Sequence, residues 1–147
     1  MDKNNLLNLM VGHHALLEAL FALFDDEIRE KSPHAVKSLA ELEWEIQKHF
    51  FVEENAIFNL PQIKAIKVYD MVLHLKAEHT EMLGYLRKFS ENFSEIKSED
   101  IEKLAGLLAT HREMEEKELY PKLDKELPEE QKRQAILRIN EFPNKTK

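Results

Sequence analysis

The column Ala35, Leu39, Leu42, Ile46, His49, Glu53, Ala56 and Leu60 runs through the chain in alternating steps of four and three. That period is the seam of a helix packed against other helices, and a strand cannot present it. Two members of the column, His49 and Glu53, are polar among apolar neighbours. A charged side chain on a buried seam is costly unless it is paired or bound to a metal. The chain is therefore constrained to fold as helices that supply partners for these two residues.

The same period organises the rest of the chain. A first helix is expected from about Asn5 to Lys31, with a wide apolar stripe and the frame Leu7, Met10, His14, Leu17, Phe21 and Phe24. Ser32-Pro33 ends it and starts a second helix, Ser as N-cap and Pro at the first helical position, which runs to about Phe58 and is broken by Asn59-Leu60-Pro61. A third helix is expected from about Gln62 to Phe93, on the seam Ala65, Val68, Val72, Leu75, His79, Met82, Leu86, Phe89 and Phe93. A fourth starts near Ser98 as N-cap, with Glu99, Asp100 and Glu102 favoured by the helix dipole. Its seam is Ile101, Leu104, Leu108, His111, Glu115 and a candidate Glu118, and Pro121 is expected to close it. A short fifth helix follows from Pro128 to about Glu141, and Pro143 to Lys147 should be loose. Four long helices with short connections predict an all-α, up-down-up-down four-helix bundle with a short C-terminal fifth helix, in one domain spanning 1–147.

Composition agrees with helices and narrows the function. Only 3 Gly and 5 Pro interrupt the 147 residues, and 33% are charged. The net charge of −7 argues against a nucleic-acid partner, which would need a basic face. With no cysteine, disulfides, zinc–thiolate sites, iron–sulfur clusters and thiol catalysis are excluded. Leu6 to Phe24 is apolar enough to raise a signal or membrane segment, but His13, His14 and Glu18 interrupt it and only Lys3 precedes it. It reads as a core helix of a soluble, cytoplasmic protein.

The chemistry lies in a repeated motif. His49-Phe50-Phe51-Val52-Glu53-Glu54 and His111-Arg112-Glu113-Met114-Glu115-Glu116 both read H-x-x-x-E-E. Residues four apart share a helix face, so each copy aims an imidazole and a carboxylate at one place. An apolar–aromatic pair follows each copy, Ile57-Phe58 or Leu119-Tyr120, and then Pro61 or Pro121. Each copy is also preceded by a seam histidine, His14 or His79. Two such helix pairs pack naturally about a pseudo-twofold axis, which brings His14, His49, Glu53, His79, His111 and Glu115 to one level. His13 also lies in an apolar frame, about 100° round from His14, and His14 is favoured. Glu54 and Glu116, one residue round from the seam, read as supporting or solvated groups. Trp44, Tyr69, Tyr85 and Tyr120 read as packing residues, with Tyr120 close to the motif. His34 is about four turns from His49, too far to join.

Imidazole with carboxylate suits a transition metal, and a His-rich set points away from Ca²⁺ and Mg²⁺. Iron is the best fit by ligand type, with manganese and zinc open. Ferritin-like sites need E-x-x-H pairs and more Glu.

The order H…H-x-x-x-E-E…H…H-x-x-x-E-E resembles the hemerythrin-like (HHE cation-binding) family over nearly the whole chain, to about Pro121, and His14-Ala15-Leu16-Leu17-Glu18 is similar to that family's first-helix motif. The resemblance implies a non-haem di-iron centre: two iron ions, Fe²⁺ or Fe³⁺, with an oxo or hydroxo bridge. The implied ligands are His14, His49, Glu53, His79, His111 and Glu115, with Glu53 and Glu115 bridging. It also implies that O₂, NO or peroxide binds at an open iron position. The implied functions are oxidant sensing, storage or scavenging, then peroxide or NO turnover, then iron storage or donation. A small ligand is the expected partner, with no membrane and no nucleic acid. One departure stands out. Hemerythrins that carry O₂ place two His four apart on the third helix, whereas His74 and His79 are five apart. His74 shares a column with Lys67, Glu81 and Lys88, so it should face solvent unless a π-bulge turns it inward. Without it at least one iron is more open, which favours sensing or redox chemistry over reversible O₂ carriage.

Overall fold

The computed structural model describes residues 5–141, which are helical throughout apart from short turns, with no strand among them. The expectation for Pro143 to Lys147 lies outside the described residues. The elements are α1 (Leu6–Arg29), α2 (Ala35–Val52) continued by a π-helical turn (Glu53–Ile57), α3 (Gln62–Ala65) and α4 (Tyr69–Glu91). After a 3₁₀ turn (Phe93–Glu95) come α5 (Ser98–Met114), a second π-helical turn (Glu115–Leu119), α6 (Tyr120–Glu126) and α7 (Glu129–Asn140).

Local chemistry sets the helix ends. Asn5 caps α1 by accepting from the Asn8 amide at 2.7 Å. The next free amides, those of Leu6 and Leu7, donate to the Asp124 carboxylate at 2.7 and 3.0 Å. An anion held on a helix N-terminus satisfies orphan donors and the dipole together, and here it ties α1 to α6. At the other end Lys31 adopts φ 57°, and the Lys31 and Ser32 amides donate back to Ile28 and Glu27. That is a Schellman turn with lysine where glycine is usual. Ser32 Oγ accepts from the His34 amide at 3.1 Å, so Ser32-Pro33 form a tight lead-in turn and α2 proper begins at Ala35.

Two expected elements differ. The single helix from Gln62 to Phe93 is broken at Lys67, which has φ 69°. The Lys67 and Val68 amides donate to Lys64 and Ile63, a second Schellman turn with Ile63 and Val68 in the same apolar cluster. The break changes the helical phase, so Ala65 is exposed while Ile63 and Ile66 are buried. Pro121 does not close the fourth helix, which runs on as α6 to Glu126. The π turn just before Pro121 puts the proline at the start of a new α-helical segment, where its missing N–H is tolerated.

α1 packs along α2 on one side and along α5 and α6 on the other, and α4 packs against α2 and α5. α7 covers the π turn that follows α2. The apolar interior is divided in two. One cluster holds Leu6, Met10, Ile57, Leu75, Leu119 and Tyr120, and the other Phe24, Leu42, Ile46, Met82, Leu86 and Leu104. Along each long helix buried polar residues sit where the two clusters meet: His14 between Met10 and Leu17, His49 and Glu53 on either side of Phe50 and Val52, His79 between Leu75 and Met82, and His111 and Glu115 between Leu104 and Leu119.

Candidate metal centre

His14, His49, Glu53, His79, His111 and Glu115 are all buried, and both glutamates are fully excluded from solvent. One donor atom from each of His14, His49, Glu53 and Glu115 lies within 4.8 Å of the others. The same holds for Glu53, His79, His111 and Glu115, so two tetrads share both glutamates.

Each shared carboxylate faces both histidine pairs. Glu53 has Oε1 at 2.9 Å from His79 Nε2 and Oε2 at 3.5 Å from His49 Nε2. Glu115 has Oε1 at 3.0 Å from His14 Nε2 and Oε2 at 3.2 Å from His111 Nε2. Among the described residues, His49 Nδ1 and Nε2, His111 Nε2 and Glu115 Oε2 have no hydrogen-bond partner. His111 Nε2 and Glu115 Oε2 are close yet misaligned as a hydrogen bond, so they converge on shared space rather than on each other. Buried donors without partners are costly, and a cation would satisfy them. The residues present therefore fit a metal of nitrogen–oxygen preference.

Charges on the site answer one another. Burial alone would raise the Glu53 carboxyl, but His49, Glu115 and His111 overcome it and hold Glu53 well below the usual range, hence ionised. Burial lowers the His111 imidazole, and the nearby carboxylates of Glu115 and Glu53 outweigh this, pushing it up to about 11. His14 is raised in the same way, burial being outweighed by Glu115 and Glu53. Without a metal, a proton on His111 offsets the charge of Glu53.

Several groups support the histidines: Glu54 and Glu116 were expected as supporting or solvated residues, whereas Glu78 was not singled out from the sequence. Glu116 Oε2 lies 2.7 Å from His14 Nδ1, and Glu54 Oε2 lies 2.7 Å from His79 Nδ1. The second Glu of each motif therefore holds a histidine from a helix of the other half. Glu78 Oε1 lies 2.8 Å from His111 Nδ1. It carried no signal in the periodicity, because its role depends on a neighbouring helix. Tyr120, expected to pack, is fully buried, and its hydroxyl also donates to Glu53 Oε2. Burial and the charges of Glu115 and Glu53 hold that phenol well above its ordinary value, so it remains a donor. His79 stacks with Phe50 and Phe58, at ring-centroid distances of 3.8 and 5.6 Å.

Other candidates fall outside. Glu118 is exposed, because the π turn shifts the phase and gives the inward places to Leu119 and Tyr120. The π turns follow Glu53 and Glu115, whereas α4 is regular at His74, whose side chain is 56% exposed and pairs with Glu78 at 3.1 Å. His13 belongs to neither tetrad, although its ring centroid is 5.8 Å from that of His49. Burial, with the nearby His49, His14 and Lys48, lowers His13 to about 4. His34 is exposed at the start of α2.

A largely apolar cavity of about 160 Å³ adjoins the layer, lined by His14, His49 and His111 and by Leu17, Phe21 and Leu108. The exposed Glu18–Arg112 ion pair, at 2.5 Å, forms part of its wall.

No curated protein and no solved structure gives a significant match to the chain. Residues 5–123 match the family model described as the hemerythrin HHE cation binding domain. That span takes in both H-x-x-x-E-E motifs, both tetrads and their supporting carboxylates, and the chain belongs to the hemerythrin HHE cation-binding domain family.

Proposed function

We propose that this chain is a non-haem di-iron protein that binds O₂ or a related small oxidant for sensing, storage or scavenging. Its ligands in this reading are His14, His49, Glu53, His79, His111 and Glu115. The observation that carries it is the sharing of both glutamates between two histidine pairs, each carboxylate presenting one oxygen to each pair. A carboxylate that bridges two cations needs that disposition. Two positively charged ions also offset the desolvation of two buried carboxylates, which one imidazolium does poorly.

The ions, when bound, supply an open coordination position and reversible electron transfer. The chain's own residues do the rest. Glu116, Glu54 and Glu78 accept from Nδ1–H and so direct the Nε2 lone pairs of His14, His79 and His111 inward. Phe50 and Phe58 keep water from the flanks of His79. The cavity lined by Leu17, Phe21 and Leu108 admits a small, weakly polar molecule to the histidines.

The reading takes the four long helices as an up-down-up-down bundle. It is supported by the contacts of α1 with α2, α2 with α4, α4 with α5 and α6 with α1, and by the ties that join Glu27 to Ser38 and Leu6 to Asp124. It also takes the protein as soluble and cytoplasmic, with a small-molecule partner. α1 is long and apolar enough to cross a membrane by length and composition, yet it commits His14, Met10 and Phe24 to the interior.

The test is an iron count with an optical spectrum on protein from iron-fed cells. The expected result is two iron per chain and a visible absorption band that appears with O₂ and fades under inert gas. A folded protein with no iron overturns the reading.

A further inference from the structure

The two histidine pairs are related by the internal repeat, but their surroundings are not the same. In the pair His79 and His111, both Nδ1 atoms are held by carboxylates, Glu54 at 2.7 Å and Glu78 at 2.8 Å. In the pair His14 and His49, only His14 is held, by Glu116 at 2.7 Å. Among the described residues His49 Nδ1 has no partner. The repeat accounts for this. Glu78 immediately precedes His79, and the residue that immediately precedes His14 is His13. The place that offers His111 a carboxylate offers His49 another imidazole, at 5.8 Å between ring centroids.

The carboxylates differ in the same sense. Tyr120 donates its hydroxyl to Glu53 Oε2, the oxygen that faces His49 at 3.5 Å. Tyr120 follows the second motif as Phe58 follows the first, and Phe58 has no hydroxyl to give. Glu115 Oε2, which faces His111 at 3.2 Å, accordingly has no hydrogen bond among the described residues. His49 also lines both the cavity beside α5 and a second cavity of about 180 Å³ with His13, Leu16 and Ile139, and His79 lines neither.

We infer that the two metal positions differ in affinity: the His79–His111 position is filled first and held firmly, the His14–His49 position is filled second and exchanges, and Glu78 and Tyr120 are the positioning residues that separate them. The inference rests on the dinuclear reading above. A carboxylate on Nδ1–H fixes the tautomer and raises the basicity of the liganding Nε2, and loss of such a partner typically weakens metal binding roughly 10- to 100-fold. A phenol bonded to a carboxylate oxygen draws electron density from it and makes it a poorer donor. Both effects weaken the His14–His49 position.

The test is anaerobic calorimetric titration of metal-free protein with Fe²⁺, repeated with Co²⁺, whose visible spectrum reports the site being filled. The wild type should take up two ions in two steps, with dissociation constants about tenfold or more apart. Glu78→Gln should weaken the tighter step roughly 10- to 100-fold and merge it with the other. Tyr120→Phe should tighten the looser step and leave the tighter one in place. His13→Glu supplies the missing carboxylate and should tighten the looser step about tenfold. That gain keeps the inference falsifiable if Glu78→Gln does not fold. Two ions entering the wild type in one step, or Glu78→Gln weakening only the looser step, overturns this inference and leaves the dinuclear reading standing. A folded wild type that binds neither metal overturns both.

Discussion

His14 Nδ1 and Glu116 Oε2 lie 2.7 Å apart although their residues stand 102 positions apart in the chain. The pair joins α1 to the second motif, and His79 with Glu54 repeats the relation between α4 and the first motif. Each H-x-x-x-E-E stretch thus spends its first glutamate on the centre of the layer and its second on a histidine of another helix. Neutral Gln in place of either outer glutamate keeps the size but loses the charge that orients the ring. Glu116→Gln and Glu54→Gln should each raise the metal dissociation constant roughly 10- to 100-fold, with helical content unchanged. Calorimetric titration beside far-ultraviolet circular dichroism reads both quantities.

Glu53 and Glu115 belong to both tetrads, so each should matter to both ions. Glu53→Ala and Glu115→Ala should lower bound iron sharply, whereas His74→Ala, whose side chain is 56% exposed, should leave it unchanged. Elemental analysis of purified variants decides this, and full occupancy in either glutamate variant removes the bridging assignment.

Protons compete with the metal. His111 is raised to about 11 and His14 is raised above its ordinary value, so the metal-free site carries imidazolium at neutral pH. A ligating imidazole must be neutral, and metal uptake must therefore release protons. Metal affinity should climb with pH, by roughly a decade per unit for His111 alone. Titrations in two buffers of different ionisation enthalpy give the number of protons released, and a count of zero contradicts this electrostatic description.

The same shift has the opposite sign for the stability of the metal-free protein. His111 binds its proton more tightly when folded, so its contribution is fully present below the unfolded value of 6.5 and is lost as pH rises toward about 11. His13 is lowered to about 4, so protonation of the unfolded chain removes stability as pH falls from 6.5 to about 4. The metal-free protein should be most stable near pH 6.5 and weaken on both sides. Denaturant unfolding of chelator-treated protein across pH 4 to 10 tests this. A stability rising steadily from pH 7 to 10 would refute the assignment of a protonated His111.

Stability and metal binding should separate at Phe24. It is fully buried and stacks on Phe89 at 6.1 Å within the cluster that lacks the π turns. Phe24→Ala should cost about 3–5 kcal/mol in denaturant unfolding while the folded fraction keeps its metal stoichiometry. Loss of metal from folded Phe24→Ala protein would mean that the two apolar clusters are not independent supports.

Lys67 adopts φ 69° at the turn between α3 and α4, a conformation that glycine reaches without a Cβ clash. Lys67→Gly should raise unfolding stability by about 1 kcal/mol and leave metal affinity alone. A destabilised variant would show that the lysine side chain has a part in this turn that its backbone does not explain.

What the sequence determined by itself was whatever repeats locally. Alternating steps of four and three marked the helices, and a charged residue on such a seam marked a position that needs a partner, because burial cost is read from one residue and its own helix. The inward column Ala35, Leu39, Leu42, Ile46, His49 and Glu53, up to the π turn, was legible for that reason. The tertiary structure decided the rest. The break at Lys67 depends on amides turning back to Ile63 and Lys64, in a chain with too few glycines to announce such turns. The π turns after Glu53 and Glu115 insert one extra residue into each helical turn, which a fixed period cannot register, and they bring Tyr120 inward in place of Glu118. Glu54 and Glu116 were marked by their place beside the seam, but which histidine each holds, and the parts of Glu78 and the Tyr120 hydroxyl, come only from a neighbouring helix, since a hydrogen bond across two helices is set by their packing.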